Sequence, residues 1–111
     1  MKTTPDIELW TNWCERPGLS EEERMRLDTV DTVLTAYTKE HPSRLDIDAN
    51  INDWVFMPKT TIEIITELQP VMNLDHFDVI VWLRANDYSL APDSTSGQLK
   101  WGMWDRRYID D

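Results

Sequence analysis

Three oxygen-bearing side chains stand two apart in the stretch DIDAN, at Asp46, Asp48 and Asn50. That spacing is the first half of a calcium-binding loop, in which alternate side chains turn their oxygens to a hard cation. The second half is missing. Ile51 stands where the sharp turn needs glycine and Met57 where the bidentate glutamate belongs, so no calcium site is expected. For zinc, one cysteine, Cys14, and two distant histidines, His41 and His76, do not make a ligand set. Cys14 stands beside Trp10 and Trp13, where it reads as a small buried hydrophobe rather than a nucleophile. His41 precedes a proline at a helix end and suits the negative pole of the helix dipole. His76 falls near a helix start, where it caps or packs. Carboxyls are abundant, but nothing in their spacing lifts one pKa above its neighbour's. Three glycines cannot assemble a phosphate-cradling loop. The expectation is a protein with no catalytic residues, no metal and no cofactor.

Binding chemistry is better represented. Six tryptophans in 111 residues exceed what a small core readily takes, since each is large and carries an N–H that needs a partner. Trp54, Trp82 and one of Trp10 or Trp13 are expected to fill the core. The chain closes with KWGMWDRRYIDD. Trp101 and Trp104 stand an odd number of residues apart, so a regular strand aims them at opposite faces. Tryptophan and arginine are the residues most enriched at interface hot spots. Lys100, Trp101, Trp104, Arg106 and Arg107 therefore form one candidate partner-binding surface. The alternative is an intramolecular clamp, with the arginines held by the protein's own carboxylates.

A second candidate surface is acidic. It comprises Glu21, Glu22, Asp28 and Asp31 along a helix, together with Asp46, Asp48 and Asp53. In a strand, Asp46 and Asp48 would project from one side about 6.6 Å apart. Regularly spaced carboxylates on rigid elements can stand in for phosphates and enter a basic groove built for nucleic acid. The overall charge favours this use: Lys plus Arg is 11, Asp plus Glu is 21, and the formal net charge is −10. Duplex DNA is not expected to bind directly, because phosphate contacts from Lys and Arg supply most non-specific affinity. A basic protein is the expected partner, such as a host nuclease or another nucleic-acid-binding complex. The N-terminus lacks the apolar core of a signal peptide and no apolar run reaches membrane-spanning length, so cytoplasmic residence and no membrane partner are expected.

The elements that must position these residues can be read in part. The fold class expected is α+β, a small single domain with a helical N-terminal part over 1–42 and a mixed part over 45–111. TPDIELWTNWCERPG reads as a first helix capped by Thr4, with Pro5 at its first position and Pro17-Gly18 ending it. SEEERMRLDTVDTVLTAYTKEHP opens with a capping box, Ser20 to Glu23. It turns Leu27, Val30, Leu34 and Tyr37 to the core, and Glu22 can pair with Arg26. RLDIDANINDW alternates strictly, as a half-wet strand does, although Asp and Asn also suit a loop. TTIEIITELQP begins with another capping box, Thr60 to Glu63, yet its β-branched run would also suit a strand. LDHFDVIVWLRANDY is equally ambiguous. SLAPDSTSGQLKWGMW reads as a hairpin turned by Pro92 to Gly97.

Taken as helix, helix and hairpin, residues 60–104 resemble a winged-helix module. TTIEIITEL would be the first helix of the pair, HFDVIVWLRANDYSL the recognition helix, and QLKWGMW the returning strand of the wing. In DNA-binding members the recognition helix presents polar and basic groups to the major groove. This helix offers Asp75, His76, Asp78 and Asp87, with Arg84 as its cation. The resemblance thus implies a fold, with a small antiparallel sheet as the other architecture. The function expected is a non-enzymatic acidic inhibitor, carried by a phage or other mobile element, that blocks a nucleic-acid-handling enzyme. The alternative is a winged-helix module that binds nucleic acid or regulates through its C-terminal hairpin.

Overall fold

Asp6 opens the first helix by accepting the backbone N–H of Leu9 at 3.3 Å, and α1 runs Ile7–Cys14 in the computed structural model, which describes residues 6–106. The caps expected at Thr4 and Pro5 lie outside the described residues. The Arg16 guanidinium stacks on the Trp13 ring and donates to the Trp13 carbonyl at 2.8 Å. Gly18 then reverses the chain at a φ of +89°, a conformation side-chain-bearing residues rarely adopt. Ser20 caps α2, Glu21–Glu40, and three glutamates occupy its positive first turn. Leu27, Val30 and Leu34 are buried as the spacing requires, and Tyr37 is half-buried. Arg26 does not pair with Glu22. It reaches the Asn73 carbonyl at 2.9 Å and the Asp78 carboxylate at 3.6 Å, because a buried carboxylate needs a cation more than an exposed one does.

The alternating stretch after Pro42 is not a strand. Residues 47–49 turn, and a 3₁₀ turn covers Ile51–Asp53. Aspartate and asparagine here satisfy the backbone locally: Ala49 N–H donates to the Asp46 carbonyl at 2.9 Å, and Asn52 N–H to Asn50 Oδ1 at 3.1 Å. Local bonds of this kind remove the groups a ladder would use. Asp46 and Asp48 therefore do not form the regular row that a strand would give.

Next come β1 (Trp54–Phe56), α3 (Thr61–Leu68), α4 (His76–Ala85), β2 (Leu90–Pro92), β3 (Leu99–Trp101) and β4 (Trp104–Arg106). The Thr60 capping box forms in both directions, with Glu63 N–H donating to Thr60 Oγ1 and Thr60 N–H to Glu63 Oε1. Both ambiguous stretches are helices, and the order helix, helix, hairpin is the one the resemblance implies. β2 pairs antiparallel with β3, and β1 antiparallel with β4. The two ladders join at Lys59 and Trp101, whose backbones exchange both bonds, at 3.1 and 2.7 Å. The sheet's inner face closes on α2, α3 and α4.

α4 looked apolar around its girth because α1, α2 and α3 all pack on it. Trp82 donates its indole N–H to Asp31 on α2 at 2.7 Å. Trp13 donates to Asp78 on α4 at 2.9 Å. Trp82 and Trp101 are the core tryptophans, with Trp101 fully buried and its indole bonded to Thr61 Oγ1 at 2.9 Å. Trp54, expected in the core, is only half-buried, because its strand position turns it to the outer side of the sheet. No helix among the described residues is long and apolar enough to cross a membrane.

Asp78 is buried, and its hydrogen-bond donor is the Trp13 indole, with Arg26 at 3.6 Å as a weaker partner. Trp13→Phe should therefore cost about 1.5–3 kcal/mol, more than its half-exposed ring suggests, because the carboxylate is left short of a donor. Adding Asp78→Leu should recover most of that loss. Urea denaturation of the two single variants and the double variant measures the coupling; additive losses would show that the bond carries no such weight.

Candidate functional site

Along the outer face of the sheet, the register sets an aromatic row. Trp54 lies opposite Arg106 and Phe56 opposite Trp104. The Phe56 and Trp104 rings meet edge-on with centroids 5.2 Å apart, and the Arg106 guanidinium covers the Trp54 ring at 5.0 Å. One step further along, Lys100 pairs with Ala91 across the β2–β3 ladder, and its ammonium is 3.7 Å from Asp93. Trp101 points the other way and is buried, so it offers nothing to a partner as folded. The odd spacing of the two tryptophans was thus a correct guide to their opposite faces. Arg107 lies outside the described residues. Lys100, Trp104 and Arg106 do come together; Lys100 sits beside Asp93, while Arg106 rests on the Trp54 ring rather than on a carboxylate as the clamp alternative expects.

The acidic candidates divide into two groups. Glu21, Glu22, Asp28 and Asp31 lie within the first eleven residues of a helix about 30 Å long. Asp46, Asp48 and Asp53 lie in the segment that leaves its other end and runs into β1. All seven are exposed. Asp31 is the one committed to the fold, as acceptor for Trp82. The second group borders the aromatic row, since Asp53 immediately precedes Trp54, and Ile47, Ile51, Phe56 and Met57 expose large apolar surfaces in the same stretch. Acidic and apolar side chains thus alternate along one end of the molecule.

Of the nine described lysines and arginines, Arg24, Lys39 and Arg84 are exposed, and six lie against groups of the same chain. Arg16 is held by Trp13, Arg26 by Asp78, Arg44 by Asp87 at 2.9 Å, Lys59 by Glu67 at 2.7 Å, Lys100 by Asp93 and Arg106 by Trp54. The exposed stripe of α4 consists of Phe77 and Arg84 with half-buried Ile80 and Val81 between them. α1 lies antiparallel along this helix: Trp13 bonds Asp78 near its start, and Asp6 and Arg84 line a common cavity near its end. α4 is therefore flanked by other helices and exposes one arginine.

One constellation was missed from the sequence. Lys59 is 6% exposed, and its ammonium donates to Glu67 and lies 3.5 Å from Asp105. Asp105 also binds His41 Nδ1, Tyr37 hydroxyl donates to Glu67, and the Tyr37 and His41 rings stack at 4.2 Å. Burial and the neighbouring Glu67 carboxylate push the Tyr37 hydroxyl far above its ordinary range. A phenol so raised is no base, and an ammonium set between two carboxylates is no nucleophile. The cluster joins the end of α2 to α3, β4 and the bridge residue Lys59 that follows β1. Its members are spread from residue 37 to residue 105, and no spacing rule links them. Among the described residues no group of three or more His, Cys, Asp or Glu is placed to hold a metal ion.

Set against known protein families, characterised proteins and solved structures, the chain matches none. Geometry and charge remain as guides to function.

Two measurements check this site. Asp105→Asn should cost about 2–3 kcal/mol, since it leaves Lys59 and His41 short of an anion inside the fold. Glu67→Gln should cost about 1 kcal/mol, because water reaches that carboxylate. Equal losses in chemical denaturation would contradict this ranking. Cys14, half-buried at the end of α1, has its thiol pKa pushed up, first by burial and then by Asp28, Asp31 and Asp78. A raised pKa lowers the thiolate fraction at a given pH. Alkylation by iodoacetamide at pH 8 should be slower than in the urea-unfolded chain, and Asp28→Asn should speed it. An unfolded-like rate in the native protein would refute that environment.

Proposed function

We propose that this is a non-enzymatic binding protein that attaches to a basic, nucleic-acid-handling protein and blocks it, as an inhibitor carried by a phage or other mobile element would. One observation carries the reading: the carboxylates of α2 at 21, 22, 28 and 31 and those at 46, 48 and 53 are all exposed, whereas six of the nine described lysines and arginines lie against groups of the same chain. The exterior is acidic, in line with the net charge of −10. Such a surface accelerates encounter with a cationic cleft and repels polyanions. The carboxylates on α2 and those at 46, 48 and 53 give two separated contact regions, suited to lying along an extended basic channel.

The alternative reading, a winged helix that binds nucleic acid through Lys100, Arg106 and Arg107, finds little help in the geometry. Arg106 lies over the Trp54 ring, Lys100 sits beside Asp93 at 3.7 Å, and α4 offers Arg84 alone. The two readings separate in one set of assays. Against a panel of host defence nucleases at low salt, the protein should inhibit at least one. Inhibition should weaken with added sodium chloride, and reversing Glu21, Glu22 and Asp28 to lysine, or Asp46, Asp48 and Asp53 to lysine, should each weaken it by roughly tenfold. No inhibition, together with a gel shift of a DNA duplex that fades as salt rises, would select the alternative.

A further inference from the structure

Between the aromatic row and the wing, the outer face of the sheet holds a groove of about 350 Å³, lined by Phe56, Pro58, Ala91, Pro92, Lys100 and Gly102. That volume is near the lower end of what ligand-sized sites occupy. Gly102 forms part of its floor. A Cβ there would sit 3.6 Å from the Phe56 ring, an ordinary contact, and its backbone is not in the left-handed region. Conformation does not demand glycine at this position; an open floor does. Phe56 is 51% exposed and is braced by the edge of Trp104, so one wall is a rigid aromatic. At the wing end lies Asp93, whose carboxylate is fixed by the Ser96 hydroxyl at 2.9 Å and the Ser96 N–H at 3.0 Å. Lys100 stands 3.7 Å from that carboxylate, a loose pair that leaves Asp93 able to accept from an incoming donor.

We infer that this groove docks an extended, cationic segment of the partner, which places one bulky apolar side chain over Gly102 and an arginine or lysine at Asp93. The inference rests on the function proposed above and names the surface and the chemistry of its contact. Charge selects the occupant. A chain of net charge −10 repels a nucleic acid, an anionic bilayer and a second copy of itself, while a cationic segment is drawn to it. The shape supplies the apolar part: an aromatic wall facing prolines over an open floor is the kind of pocket that a hot-spot anchor fills.

The test uses the full-length, ¹⁵N-labelled protein and two blocked peptides, Arg-Phe-Pro-Arg and Glu-Phe-Pro-Glu. The arginine peptide should shift the amide resonances of Phe56, Ala91, Lys100 and Gly102, and the glutamate peptide should bind roughly tenfold more weakly or not at all. Gly102→Leu adds a Cβ in ordinary contact with the Phe56 ring and extends a branched chain from it into the groove. It should keep the melting temperature of the parent while weakening the arginine peptide by roughly tenfold. Absence of shifts at these amides, equal binding by both peptides, undiminished binding by Gly102→Leu, or an oligothymidylate shifting the same amides would each overturn the inference. Failure here is distinguishable from failure of the wider reading. Nuclease inhibition that survives in Gly102→Leu while the peptide shifts nothing removes the groove alone. Peptide binding with no nuclease inhibited removes the proposed target and leaves the groove.

Discussion

The fold closes around a lysine. Lys59 exchanges both backbone bonds with Trp101, so its side chain and the Trp101 ring enter the interior from the same rung of the sheet. Burying an ammonium costs several kcal/mol unless anions meet it, and Glu67 and Asp105 do so from α3 and β4. His41 and Tyr37 complete the cluster from the end of α2. Four elements are thereby held to a single point. The pairing register is held with them, because a slip of one residue would turn Trp101 outward and strand the ammonium away from its carboxylates. With the inner face so fixed, the outer face has no freedom in what it presents: Trp54, Phe56, Gly102, Trp104 and Lys100 stand where the register puts them.

Charge is distributed by the same economy. A chain with an excess of carboxylates could neutralise itself patchily at the surface, but here Lys59 is drawn into the interior and Arg26 to a buried carboxylate. Two of the carboxylates that might have joined the exterior are used as indole acceptors, Asp31 for Trp82 and Asp78 for Trp13. These bonds answer the problem that so many tryptophans pose in a small domain, since each buried indole needs somewhere to send its N–H. Acidic residues thus do two jobs that composition cannot separate. Some lock helices together, and the rest set the outer field.

What could be read in advance follows from which forces are local. Capping at Ser20 and Thr60 depends on residues three apart, so the starts of α2 and α3 were legible. The opposite facing of Trp101 and Trp104 depends only on strand parity. The segment after Pro42 misled because its alternation is real while its backbone bonds locally, Ala49 N–H to the Asp46 carbonyl and Asn52 N–H to the Asn50 side chain. α4 stayed ambiguous because periodicity reports a one-sided burial, and three neighbouring helices bury this one on several sides. The lysine cluster, assembled from residues 37, 41, 59, 67 and 105, left no local trace. Neither did the groove, since a glycine that opens a floor looks in sequence like a glycine that makes a turn.

An order of helix, helix and hairpin does not by itself assign a task. In a DNA reader, the exposed stripe of the second helix and the cations of the wing act together on phosphates and bases. Here α1 lies along that helix, Trp13 fastens it through Asp78, and the wing's lysine faces its own aspartate. What the fold still offers is the sheet's outer face, where aromatic rings, a bare glycine and an oriented carboxylate lie within a few residues of exposed acids. On the function proposed above, such a surface would meet positive charge carried on an apolar chain. Fold alone does not choose a use; the residues on its surface do.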